Sequence, residues 1–416
     1  MMRVSTLALV VLTIFVLARG SEIRYDGYKV VRVVPQKYEH LLALKALQGQ
    51  TGHDKVDFWL APRQVGVPVD MSMSPEVFQR LYASFNLWGI FPTVIIDDVQ
   101  KLIDAQKYVT YDVEADFDYS QYHTLSEIEA WMKNITDTYS DKASLFEITK
   151  SYEARTINGI KISTSTSPDP RPAFWMEGGI HSREWISPAT VIYMTGQMLD
   201  NYEALKDFVD SYDWYILPVF NVDGYERTWN GDRMWRKTMS VHGICTGVDP
   251  NRNWDFHWNE NGASSDPCSD TYAGPSAFSE IEVKEVANKI ASIANLKGFI
   301  DFHSFYQYWM SPWGYTTELP KDFKDMDEGG KAACDALEAV HGTKFEHGSI
   351  ANIIYVASGS SADWTYGKQD IKYSYGVELR DRGEYGFLLP ADQIIPSGEE
   401  TLQAVIALAK FITNNP

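Results

Sequence analysis

Three groups of residues with metal or acid–base chemistry stand at or just after the ends of strand patterns. The first group is His181-Ser182-Arg183-Glu184, an imidazole and a carboxylate three positions apart directly after the run Phe174–Gly179. On a turn or first helical turn, residues so spaced can face one point. The second is His303, which closes the run Gly298–Phe302, and the third is Glu378, which closes Tyr373–Val377. Together, His181, Glu184 and His303 would form a His₂Glu set that leaves a fourth zinc position open for water. His-x-x-Glu alone is a weak metal signal, and a histidine at a strand end is more often a hydrogen-bonded core residue. Glu378 has an ordinary alternative as well, an ion pair with Arg380 or Arg382.

These residues need a scaffold that gathers strand ends. From residue 111 onward strands and helices alternate, which predicts an α/β domain with a mixed central sheet flanked by helices, the site lying at the carboxyl ends of its strands. Ser187-Pro188 predicts a helix start, and Trp214–Val219 a strand. Ser279-Glu280-Ile281-Glu282 and Ser397 to Glu400 read as capping boxes opening helices. Residues 21–110 carry a separate pattern. Lys29–Val34 reads as a strand, Pro35–Leu47 as a helix stopped near Gly49 and Gly52, and Val56–Leu60 and Val65–Val69 as strands. A helix opens at Ser74-Pro75-Glu76, and Val94–Ile96 closes the set. This β-α-β-β-α-β order predicts a small α+β open sandwich of ferredoxin-like type. Asp97 then caps a connecting helix that leads into the acidic stretch Asp112–Asp118.

Composition narrows the function classes. The 416-residue chain is too long for one ordinary core. Its net charge of −19 offers no field for nucleic acid. Residues 1–20 read as a secretory signal, with Arg3, a short apolar run Val4–Leu17 and small residues at Ala18-Arg19-Gly20. That run is shorter than the ~20 residues a spanning helix requires, so the expectation is a secreted protein with no membrane segment. In an oxidising compartment, Cys245 and Cys268 in a Gly/Ser/Asn-rich loop are the expected disulfide, and Cys334, in a helical pattern, a buried free thiol. Asn134-Ile135-Thr136 is a glycosylation sequon. Nothing in the sequence points to an oligomer, so a monomer is expected.

The surroundings of the metal-type residues carry a resemblance. The run Met176–Trp185 resembles the zinc motif of the carboxypeptidase A/B family of metallocarboxypeptidases, and Phe302-His303-Ser304 its third-ligand segment. Further segments match in order: Met234-Trp235-Arg236-Lys237, Gly247–Asp255, Ile354-Tyr355 with Ala357-Ser358-Gly359, and Val377–Asp381. The resemblance covers nearly the whole chain, and residues 21–110 are similar to that family's inhibitory prodomain, leaving residues 111–416 as the catalytic domain.

The resemblance implies one zinc ion held by His181, Glu184 and His303, with Asp249 as the outer carboxylate that fixes the first histidine. Glu378 becomes the general base and Arg236 the donor to the developing oxyanion. Asn251, Arg252 and Tyr355 would bind the free C-terminal carboxylate of a peptide, and Arg183 and Phe387 would line subsites for preceding residues. The specificity pocket maps onto Met310, Gly314, Ile350, Ile354, Ala357, Ala362 and Gly376. The branch of the family that removes Lys and Arg has an aspartate where this chain has Ala362, so the resemblance implies preference for aromatic or aliphatic C-terminal residues. Asp363 is acidic in both branches, and Ser360 is harder to read. An activating trypsin-like protease is the implied partner, with Lys101 and Lys107 as candidate cut sites. Alternatives are a carboxypeptidase removing Lys or Arg, a zinc deacylase of N-acyl amino acids, and a non-catalytic peptide binder. The presence of Glu378 with all three ligands counts against the last.

Overall fold

A computed structural model describes residues 22–48, 56–107, 117–164 and 171–416. The signal at 1–20, Gly49, Gly52 and most of the acidic stretch Asp112–Asp118 lie outside these residues. The N-terminal unit runs β1 (Lys29–Val33), α1 (Tyr38–Leu47), β2 (Asp57–Leu60), β3 (Val69–Met73), α2 (Pro75–Trp88), β4 (Thr93–Ile96) and α3 (Val99–Lys107). Its sheet is antiparallel in the order β2-β3-β1-β4. Val31, Val33, Leu44, Val69, Met71 and Phe85 fill the space between sheet and helices. The expected order is therefore present.

Two local expectations in this unit are corrected. The third strand begins at Val69 rather than Val65, because Gly66 turns the chain with φ 84° and Pro68 cannot donate to a ladder. The connecting helix is capped by Asp98, whose Oδ1 accepts from Gln100 N at 3.1 Å; Asp97 instead pairs with Lys29. Ser74 does cap α2, accepting from Val77 N at 3.3 Å with Pro75 in the first turn.

The larger unit follows as α4 (Leu125–Thr138), β5 (Ala143–Lys150), β6 (Thr156–Ile162), β7 (Ala173–Gly178), α5 (Ile186–Asp200), α6 (Tyr202–Val209), β8 (Asp213–Leu217) and α7 (Val222–Asn230). A short hairpin, β9 (Val241–His242) and β10 (Cys245–Thr246), precedes α8 (Ile281–Ser292) and β11 (Leu296–Ser304). The chain closes with β12 (Tyr308–Ser311), α9 (Phe323–His341), β13 (Glu346–Ser349), α10 (Ile350–Ile353), α11 (Ser361–Gln369), β14 (Tyr373–Leu379) and α12 (Ile394–Asn414). Eight strands form one sheet in the order β13-β12-β14-β11-β7-β8-β6-β5. The central neighbours β14, β11, β7 and β8 are parallel, whereas β5, β6 and the β12–β14 pair run antiparallel, so the sheet is mixed.

β7 is buried along its whole length and β11 from Gly298 onward, because helices pack on the sheet; Glu177 and Asp301 are the acids buried within them. A disulfide joins Cys245 to Cys268, and Cys334 is buried and free.

Neither expected capping box forms. Ser279 accepts from Asn253 Nδ2 at 3.0 Å and donates to Glu280, while Glu282 accepts from Tyr152 N at 2.8 Å. α12 begins three residues before Ser397, since Pro396 is tolerated in a first turn whose N–H groups have no helical partner. Glu400 pairs with Arg380 at 2.6 Å.

Candidate metal centre and substrate cleft

The parallel strands end together, and the chemistry sits at those ends. After β7 the chain turns through Gly179, at φ 69°, a conformation that favours glycine. The turn carries His181 to the edge of the cleft. Ser187 ties it down, accepting from Gly179 N at 3.0 Å and donating to Phe302 O on the neighbouring strand. His303 projects from β11, and Glu378 from β14 at the matching position.

His181, Glu184 and His303 are buried, and one donor atom from each lies within 4.8 Å of the others. His181 Nδ1 is 2.9 Å from Glu184 Oε1 and 3.1 Å from His303 Nδ1, which is itself 3.2 Å from Glu184 Oε2. On its other side, His181 Nε2 is 3.1 Å from Asp249 Oδ1. A proton held there leaves Nδ1 as a lone pair aimed at the cluster. Two imidazole nitrogens and a carboxylate facing one another are short of positive charge, and this N, N, O donor set suits zinc with a coordination position to spare. Against the upward pull of burial, His181 and His303 hold the Glu184 carboxyl below its ordinary value. Asp249 is likewise held well down despite its burial, by Arg236, Arg252 and His181.

Glu378 makes no ion pair with Arg380 or Arg382. Arg380 is engaged by Glu400, and Arg382 donates to Lys344 O at 2.9 Å. Its Oε2 is buried without a hydrogen-bond partner, and burial pushes the carboxyl up to about 8, with Glu184 adding to the shift and His303 and Arg236 opposing it. Arg236 reaches the cluster from below: Nη2 is 2.7 Å from Asp249 Oδ2 and Nη1 3.8 Å from Glu184 Oε1.

The cleft has a volume of about 890 Å³, and its wall includes the three metal-type residues together with Arg183, Arg236, Asn251, Arg252, Tyr355, Glu378 and Phe387. Met310, Ile350, Ile354, Ala357, Ser360, Ala362 and Gly376 line its apolar part. Gly314 is not on this wall; a Cβ there would come 2.9 Å from Ala357 O. Asp363 also lies behind the lining, both of its oxygens taken by the N–H groups of Gly314 and Tyr315 at 2.8–3.0 Å. Asn251 Oδ1 accepts from Ser361 N at 2.9 Å, which turns its amide N–H groups toward the site. Arg252 is held by Gly262 O and Asn251 O at 3.0 and 2.9 Å, with its guanidinium 5.8 Å from the Tyr355 ring.

The N-terminal unit also reaches the cleft: Trp59 and Arg63 are on its wall and Asp57 stands beside it, none of them marked by the sequence pattern. Asp57 lies 3.1 Å from Arg183 Nη1, and the Arg183 guanidinium stacks 4.1 Å over Phe387. Trp59 packs against Phe387 and Phe305 at 5.2 and 6.2 Å between ring centroids. Arg63 Nη1 donates to Ile354 O at 2.7 Å. Their side chains belong to one strand and the loop after it, so only the docked arrangement reveals them. Two more, Asp301 and Glu177, lie behind His303. Asp301 had a usable signal: two residues before His303 on a strand, it shares that residue's face.

The comparisons with known proteins agree with this geometry. Residues 128–404 match the family described as zinc carboxypeptidase, and residues 31–106 match the carboxypeptidase activation peptide. A carboxypeptidase B from Astacus astacus is 46% identical over 299 residues, covering 71% of this chain and 98% of that protein. Carboxypeptidase A1 from Mus musculus is 38% identical over 419 residues, covering 98% of this chain and 99% of that protein. The crystal structure of thrombin activatable fibrinolysis inhibitor superposes with a TM-score of 0.87 at 33% identity, over 94% of this chain and 100% of that one. The fold and site define a zinc-dependent metallopeptidase with an activation peptide. The chain belongs to the zinc carboxypeptidase family, a C-terminal exopeptidase that uses zinc and whose activation peptide implies activation by proteolysis.

Proposed function

We propose that this carboxypeptidase removes single aromatic or aliphatic residues from peptide C-termini, and that residues 21–110 form a prodomain that closes its cleft until it is cut. His181, Glu184 and His303 hold the zinc, which supplies Lewis acidity and lowers the pKa of water. Glu378 takes the proton of the attacking water and hands it to the leaving amine, a role suited to a carboxyl drawn toward neutral pH. Arg236 donates to the oxygen that becomes negative as the carbonyl is attacked. Asn251, Arg252 and Tyr355 clamp the terminal carboxylate, which explains exopeptidase action because an internal bond offers no carboxylate to hold. Arg183 and Phe387 contact preceding residues once Asp57 and Trp59 leave. The chain is secreted, works as a monomer and meets a trypsin-like activator. Lys101 lies inside α3, whereas Lys107 ends that helix and is the better cut site.

The observation that carries the specificity is the apolar wall around Ala362, with both Asp363 oxygens already bonded to backbone. A basic side chain placed there finds no free carboxylate, and burial of an unpaired charge is costly. The similarity to a carboxypeptidase B favours a second reading, removal of Lys and Arg. One experiment separates them: trypsin-activated protein is given peptides ending in Phe, Leu, Lys or Arg, each as free acid and as C-terminal amide. Release of Phe and Leu from the acids alone supports the proposal. Preferential release of Lys and Arg supports the second reading, and cleavage of the amides contradicts the carboxylate clamp.

A further inference from the structure

Two wholly buried carboxyl groups have no role in the reaction as derived above, and both lie behind His303. Asp301 on β11 and Glu177 on β7 are partners in register on adjacent parallel strands. Glu177 Oε2 accepts from Trp175 Nε1 at 2.7 Å, and Asp301 Oδ2 accepts from Ser361 Oγ at 2.7 Å. The same Asp301 oxygen lies 3.0 Å from His303 Nε2. The other oxygen of each acid, Glu177 Oε1 and Asp301 Oδ1, is buried without a partner. Asn251 Nδ2 also approaches His303 Nε2, at 3.1 Å, but the Asn251 oxygen is engaged by Ser361 N, so the amide presents hydrogens and cannot accept.

We propose that Asp301 is the positioning residue for the third metal ligand: it takes the Nε2–H of His303 and so presents Nδ1 to the zinc. This rests on His303 being a zinc ligand. Asp249 holds His181 in the same way at 3.1 Å, so each histidine of the site has its own buried carboxylate. Such a partner fixes the ring and raises its basicity toward metal. Glu177 faces the Trp175 indole and makes no contact with either histidine, so it serves as the control for a buried carboxyl at the same depth of the sheet.

The test uses the full-length chain and reads zinc retention against a competing chelator, with the absorption spectrum of the cobalt-substituted protein as a second signal. Asp301→Ala should weaken zinc retention roughly 10- to 100-fold and shift the cobalt bands. Asp301→Asn, which keeps the shape and one acceptor oxygen without the charge, should weaken it by a smaller factor, about three- to tenfold. Glu177→Gln should hold zinc like the parent. If Asp301→Ala does not fold, Asp301→Asn decides alone. Parental zinc retention and cobalt bands in folded Asp301 variants would overturn the inference, as would equal weakening by Glu177→Gln and Asp301→Asn. His303→Ala in the same assay separates the two levels. Loss of zinc there, with Asp301 variants unaffected, sinks only the role of Asp301; zinc retained by His303→Ala sinks the ligand assignment and this inference with it.

Discussion

His303 and Glu378 stand opposite each other in register on adjacent parallel strands. Strand spacing of about 4.8 Å therefore sets how far the proposed base lies from the proposed metal ligand. Loops that move independently could not hold that separation. Replacing Glu378 by Gln keeps the strand and removes the proton acceptor. The activated variant should lose about 10²- to 10⁴-fold in kcat with little change in KM. Steady-state kinetics on a small C-terminal substrate check this, and a change confined to KM would contradict a role in proton transfer.

Ala362 should decide the substrate side chain. Ala362→Asp puts a carboxylate among Met310, Ile350 and Ile354, its neighbours in one buried cluster. The expected result is a loss of roughly a hundredfold in kcat/KM toward C-terminal Phe or Leu, with a gain toward Lys and Arg. Competition between paired peptides, read by mass spectrometry, measures the ratio directly. An unchanged ratio would mean that the pocket lies elsewhere on the wall.

Asp57 and Trp59 should hold the precursor closed. Trp59 is buried against Phe305 and Phe387, and a buried aromatic of this kind contributes about 2 kcal/mol or more to an interface. Trp59→Ala should raise the activity of the uncut precursor on small substrates by about 30-fold. Asp57→Asn, which loses the pair with Arg183, should raise it less. If neither uncut variant gains activity, this strand is not the closing element.

Stability should depend on pH through Glu282, which burial pushes up to about 7 against a hydrogen bond from the Tyr152 N–H. Between roughly pH 4.5 and 7 the folded chain keeps a proton that the unfolded chain has released. This contribution is complete below that window, falls as pH rises through it and is flat above, amounting to at most about 3 kcal/mol. Glu282→Gln should flatten this part of a denaturation-against-pH profile. A parallel displacement of the whole profile would contradict the assignment.

Much of this architecture was legible from residue patterns. Apolar runs ending in His303 and Glu378 gave the strands and the side on which the chemistry lies, because parallel strands buried on both faces are continuous in hydrophobicity. Ser74-Pro75 gave a helix start for the same local reason that the structure shows. Ser279 and Ser397 misled because a capping pattern is satisfied equally well by tertiary partners: Asn253 takes the first hydroxyl, and Arg380 takes Glu400. The metal set needed the family resemblance, since residues 181 and 303 are far apart in sequence and spacing carries no distance. Asp57, Trp59 and Arg63 were hidden because their function lies in docking against another unit, which no local periodicity encodes.

A zinc-dependent C-terminal exopeptidase loses and regains its activity with its metal, so zinc content and activity are followed together. Activated protein is stripped with a chelator and zinc is returned in steps, while residue release from peptides with free C-termini is recorded. Activity should rise in proportion to zinc and level at one zinc per chain, with His181→Ala neither binding zinc tightly nor recovering. Full activity in zinc-free protein, or unaltered zinc binding and turnover in His181→Ala, would rule out a zinc-dependent enzyme with this ligand set.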